Sequence, residues 1–144
     1  MLLAANIAGK AINITQTTAG HAMCYKITSL YGCAHGHAAF LCNRILFHWM
    51  LRHVDDCVDP RGKEYLNNTF IEIAQILGCN TPEDAAIKLN DLFVALDMQI
   101  PEATAEDYSI LASSVNPERL KNHPIFLSRE TINILYHDIL KEKI

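Results

Sequence analysis

Apolar residues recur at intervals of three and four along almost the whole chain, and no run alternates apolar with polar residues. Such a period lines one face of a helix, whereas a half-buried strand needs strict alternation. The pattern predicts an all-α protein, a helical bundle of seven to eight helices. The first four expected helices run from Leu2 to Asn13, from a Thr17-Thr18 cap to Tyr31, from His35 to Val54, and from Lys63 to Leu77. Gly32 and Gly78 stand where a left-handed residue would stop the second and fourth. Thr81-Pro82-Glu83-Asp84 combines a cap, a first-turn proline and two acids that complement the helix dipole, and opens a helix ending near Leu96. Thr104-Ala105-Glu106-Asp107 starts a short helix to Ser113. With Pro117 and Pro124 inside it, Asn116 to Phe126 reads as irregular. Ser128-Arg129-Glu130 opens a last helix carrying Ile132, Leu135, Ile139 and Ile144. No repeat, low-complexity stretch or linker divides the 144 residues, so one helical domain is expected over 1–144.

Several function classes are set aside by charge and composition. The formal net charge is −4 and the lysines and arginines form no block, so neither nucleic acid nor an anionic membrane is an expected partner. Met1 to Ala11 is apolar but too short to span a bilayer and has no basic leader, so a buried first helix is expected. It begins mid-pattern, with no capping residue before Leu2, as a chain that has been cut into would. No glycine-rich loop follows a strand, so nothing here is expected to cradle a dinucleotide. The five cysteines (Cys24, Cys33, Cys42, Cys57, Cys79) are odd in number, lack CxxC spacing and mostly sit in apolar helical stretches. They read as free core thiols, which points to a reducing compartment and a cytoplasmic protein.

The chemistry concentrates between Ala19 and Phe40. His21 falls in the first turn of one predicted helix and His35 begins the next, so a helix–turn–helix can bring the two imidazoles together. Neutral imidazole suits zinc or iron(II), and bundles build such sites from facing helices. Two histidines are not a complete site, because a catalytic metal usually takes three protein ligands and an open position. His37 is the nearest further imidazole, but it points elsewhere once the helix has started. Buried or capping histidines are the competing reading. Gly20, Ala22, Gly36, Ala38 and Ala39 leave room around the pair. Tyr25, one turn after His21 on the same face, is placed to donate to a ligand at the metal or to wall it in; otherwise it is a core tyrosine. His48, His53, His123 and His137 have no partner pattern, and Phe47 and Trp49 read as packing.

Gly20-His21-Ala22-Met23, followed fourteen residues after His21 by His35-Gly36-His37-Ala38, resembles the signature of iron-containing (group III) alcohol dehydrogenases. Asn80 to Ala85, Ser114 to Pro124 and the closing Leu127 to Leu140 segment resemble the later parts of the same family, so the likeness covers essentially the whole chain. It implies the fold of the family's C-terminal helical domain, with His21 and His35 as two ligands of a divalent metal, Fe2+ or Zn2+. It implies NAD(P)-dependent oxidation of an alcohol or reduction of an aldehyde, the metal polarising the substrate carbonyl during hydride transfer. No N-terminal nucleotide-binding domain is expected within these 144 residues, so NAD(P) is expected as a cofactor only if such a domain is supplied. The family's other two metal ligands, an Asp and a His, should precede His21, yet the twenty residues before it contain neither.

Many members carry a second histidine one turn after the first ligand, where this chain has Tyr25. With the run from Tyr25 to Gly32, that resembles the branch of phosphonoacetaldehyde reductases. A phosphonate substrate would need a cationic cradle, for which Lys26 and Arg119 are the candidates; both also fit solvated surface charges. Three functions follow as expectations. The first is an oxidoreductase fragment, active when its missing part is supplied. The second is a helical interaction module without catalysis, which self-associates through the surface the missing domain would cover. The third is a small metal protein that completes its site across a dimer.

Overall fold

A computed structural model describes residues 1–141, and these residues form eight α-helices and no strand. The helices are α1 (Leu2–Ile14), α2 (Ala19–Tyr31), α3 (His35–Arg52), α4 (Gly62–Ile76), α5 (Pro82–Ala95), α6 (Ala105–Ser114), α7 (Pro117–Leu120) and α8 (Arg129–Ile139). The all-helical expectation holds, and most boundaries agree within a residue or two. The expected contribution of Ile144 lies outside the described residues. No described helix is long and apolar enough to cross a membrane.

Local chemistry accounts for most of the helix ends. Thr81 and Asp84 form a reciprocal capping box, Asp84 N–H donating to Thr81 Oγ1 at 3.1 Å and Thr81 N–H to Asp84 Oδ2 at 3.2 Å. Thr104 and Asp107 repeat it at α6, and Ser128 Oγ accepts the Thr131 N–H at α8. Each such cap contributes about 1 kcal/mol. Gly32 takes φ of 68° and Gly78 of 70°, the left-handed values that only glycine adopts without strain. Thr18 does occupy the cap position of α2, but its side chain makes no capping bond. Helix α3 stops at Arg52, short of Val54. His53 N–H turns back to the Met50 carbonyl and its ring to the Trp49 carbonyl, leading into a 3-10 turn at Val54–Asp56.

Two regions depart from expectation. The Asn116 to Phe126 segment contains α7, because Asn116 Oδ1 accepts the Glu118 N–H at 2.9 Å and Pro117 is preset for the first turn. Asn116-Pro117-Glu118 is the same cap, proline and acid sequence as Thr81-Pro82-Glu83. The second departure is α1, expected to be buried. None of its residues is buried, and Leu2 and Ile14 are 90% and 87% exposed. Its apolar side chains find no described element to pack against, since the cores below are closed by α2 to α8.

The main core joins α2, α3, α6 and α8 with Phe93 of α5, around Met23, Ile27, Leu41, Leu46, Leu111, Leu135 and Ile139. On α8 the buried set Ile132, Leu135, Tyr136 and Ile139 follows the i, i+3, i+4, i+7 stripe of an amphipathic helix. A second cluster unites Phe47 with Leu66, Phe70 and Ala74 of α4, Ala85 and Ala86 of α5, and Ile125. Phe47 and Phe70 meet edge to face at 5.6 Å between centroids, the packing role expected of Phe47. Helices α2 and α3 share the most extensive interface. A Cβ on Gly20 would stand 1.9 Å from Asn43 Oδ1, so the two helices approach closely where the functional residues begin.

Candidate metal centre

His21 enters from the first turn of α2 and is half-buried; His35, the first residue of α3, is exposed. The segment Gly32-Cys33-Ala34 leads back from the end of α2, so that α3 opens beside Cys24 rather than beyond Tyr31. The two imidazoles meet edge to face, with ring centroids 4.7 Å apart. Tyr25 lies against both, at 5.1 Å from the His21 ring and 5.4 Å from the His35 ring. Its own ring is 43% exposed, so it walls the site from the solvent side. Arg119 comes from α7, and its guanidinium carbon lies 4.6 Å over the Tyr25 ring, a cation–π arrangement.

The fold thus gathers His21, Tyr25, His35 and Arg119 from three helices. Lys26 is not among them. It follows Tyr25 by about 100° around the helix, and its side chain makes no ion pair or hydrogen bond with a described residue. His37 is turned away, its Nε2 at 2.7 Å from the Gln99 carbonyl.

A residue read only as a core thiol joins the group. Cys24 Sγ lies 3.8 Å from His35 Nδ1, and the donor atoms of His21, Cys24 and His35 all fall within 4.8 Å of one another. The legible signal was the His21-Ala22-Met23-Cys24 spacing, which puts both donors on one helix face. It was masked because Cys24 is also fully buried, like its neighbours Met23 and Ile27.

The electrostatics favour ligation by neutral imidazole. Burial, then the neighbouring His35, then Arg119 push the His21 pKa below its usual value, so the ring keeps a lone pair free at neutral pH. Burial pushes the Cys24 thiol up to about 11, with the nearby Cys33 adding to the rise and backbone hydrogen bonding opposing it.

Residues 1–140 match the description of the Fe-containing alcohol dehydrogenase family, C-terminal part. The chain belongs to that family. A phosphonoacetaldehyde reductase from Streptomyces viridochromogenes is 33% identical over 134 residues, covering 92% of this chain and 34% of the relative. The chain therefore spans about a third of that relative's length. No solved structure matches it. At the level of the family a metal and a nicotinamide cofactor are implied, and the donor set fits the metal. Two imidazoles, His21 kept neutral by burial and His35 exposed at the start of α3, bring their donor atoms within 4.8 Å of one another, close enough for one ion to draw them together.

Proposed function

We propose that this chain is the metal-binding portion of an NAD(P)-dependent alcohol dehydrogenase or aldehyde reductase, with His21 and His35 as two of the ligands of a divalent ion, Fe2+ or Zn2+. The observation that carries this reading is the convergence of both imidazoles with Tyr25 and Arg119 from separate helices. When bound, such an ion supplies Lewis acidity toward a carbonyl oxygen.

The chain's own residues do the rest of the positioning. His21, half-buried and neutral, forms the inner side of the site, and His35, exposed at the start of α3, forms its rim. Tyr25 lies against both rings and presents a hydroxyl to a ligand. Arg119 sits over the Tyr25 ring and makes no ion pair with a described carboxylate, so its N–H groups suit bidentate contact with a phosphonate. That is the group a phosphonoacetaldehyde would carry, and the reductase relative makes that aldehyde the favoured substrate. Lys26, next to Tyr25 and without an ion-pair partner among the described residues, is the second candidate cation for that group. The nicotinamide would come from a nucleotide-binding portion, supplied with or to this chain. All five cysteines are unpaired, which suits a reducing, cytoplasmic setting.

A second reading draws on α1. A helix exposed along its length, with Leu2, Leu3, Ile7, Ile12 and Ile14 on its surface, favours association with a nucleotide-binding portion or with another copy.

Metal content and oligomeric mass, measured on anaerobically purified protein beside a His21→Ala/His35→Ala variant, test both readings. Stoichiometric iron or zinc is expected in the parent and at least a tenfold loss in the variant. A ratio of one ion per two chains, in a dimer, would assign the site to a shared interface. A parent protein that takes up no divalent ion would overturn the metalloenzyme reading and leave the interaction module.

A further inference from the structure

We propose that Cys24 is the third metal ligand, so that this chain holds its ion through two imidazoles and one thiolate. The inference rests on the reading that His21 and His35 bind a metal, and goes beyond it by naming the donor that completes the set and the kind of ion it selects.

Geometry is the first argument. Metal–sulfur and metal–imidazole bonds of about 2.3 and 2.0–2.1 Å at a tetrahedral angle place the two donor atoms about 3.6 Å apart. Cys24 Sγ and His35 Nδ1 are 3.8 Å apart before any ion draws them together. Cys24 also follows His21 by one helical turn, so both donors project from the same face of α2.

Exclusion is the second. Among the described residues, no carboxylate joins the three donors, and His37 is committed to the Gln99 carbonyl. Among the histidines, cysteines and carboxylates of the described residues, the group is therefore His21, Cys24 and His35.

Burial is the third. The Cys24 sulfur is fully covered, His21 is half-covered and His35 is exposed. An ion held by these three would be open to approach from the side of His35 and Tyr25, the exposed members of the group. Three protein donors and one open position is the arrangement of a catalytic rather than a structural zinc site.

Ligation breaks the Cys24 S–H bond and forms a sulfur–metal bond, with the proton released to solvent. In the metal-free chain the thiol points to the His21 carbonyl at 3.2 Å. That carbonyl sits inside α2, where helical bonding also serves it, so giving up the thiol leaves no orphaned acceptor. A thiolate is a soft donor, and a set of two nitrogens and one sulfur favours zinc or cobalt over magnesium, calcium or manganese.

Cobalt(II) titration of the metal-free full chain reads the donor set directly, because a thiolate ligand adds an intense near-ultraviolet sulfur-to-cobalt charge-transfer band to the weak visible bands of cobalt. The expected result is that band in the parent, its loss in Cys24→Ser and Cys24→Ala, and cobalt binding weakened by more than about tenfold in both. Cobalt bound without the band, or a band that survives both substitutions, would overturn the thiolate while leaving the two histidines as ligands. No cobalt binding at all would overturn both readings together. Should the buried substitutions unfold the chain, the cadmium-113 chemical shift of the parent decides alone: a shift of the nitrogen-and-oxygen class rejects the sulfur ligand, and one of the mixed nitrogen–sulfur class supports it.

Discussion

Replacing Tyr136 with alanine is expected to cost about 3–5 kcal/mol of folding stability, the range for emptying a large aromatic from a core. Tyr136 is among the largest fully buried side chains, and its hydroxyl donates to the Met23 carbonyl at 2.9 Å. Burial pushes its ionisation well above the usual tyrosine range, so the hydroxyl stays a neutral donor. The bond ties α8 to α2, the helix that carries His21, Cys24 and Tyr25. Against a total stability of about 5–15 kcal/mol, the loss is a large share and should lower the melting temperature by roughly 10–20 °C. Tyr136→Phe keeps the volume and removes only the hydrogen bond, for about 0.5–1.5 kcal/mol. Urea denaturation of the three proteins separates the terms. An alanine variant within 1 kcal/mol of the parent would mean that Tyr136 does not fill this core.

The second large effect is a loss of stability on mild acidification, carried by His123. This residue is 3% exposed, and neither ring nitrogen has a hydrogen-bond partner among the described residues. It sits beside a cleft walled by Val58, Pro117, Leu120, Phe126 and Leu127, and burial lowers its pKa to about 4. In the unfolded chain the same imidazole titrates near 6.5, so as pH falls the unfolded state takes up the proton first. Above about pH 6.5 both states are neutral and nothing is lost. Between about 6.5 and about 4 stability declines, and below that the penalty is complete at about 3 kcal/mol. His123→Leu should flatten this window, because an apolar side chain of similar reach neither titrates nor leaves polar atoms unpaired. Measured from denaturation across pH 4 to 7, the stability difference between variant and parent should move toward the leucine protein as pH falls, by about 3 kcal/mol at pH 4. Parallel curves would remove His123 as the source.

The helical class was legible because burial on α8 and α3 follows a period that no strand shares. The ends of α5, α6 and α8 were legible because Thr81, Thr104 and Ser128 carry their own chemistry. The pairing of His21 with His35 followed from their positions at the starts of two consecutive helices, and Arg119 from its charge. What brings Arg119 onto Tyr25 is α7, and that turn was obscured because Pro117, which opens it, and the nearby Pro124 read as marks of irregular chain. Cys24 was hidden for a different reason: a thiol that lines a core and one that faces a metal have the same apolar neighbours in sequence. His123 shows the converse, since a polar residue between Asn122 and Pro124 carries no local mark of being enclosed.

Helix α1 tests the limits of periodicity most directly, because an apolar stripe specifies a face to be covered and not what covers it. Thirteen residues is close to the length below which a helix in water is only marginally stable. Were another surface to cover Leu2–Ile14, order and association in this segment would become one equilibrium. Burying its leucines and isoleucines removes apolar surface from water, so that docking should carry a negative heat-capacity change. The binding enthalpy should then grow more favourable as temperature rises, a calorimetric mark that a purely polar contact at this helix would not leave.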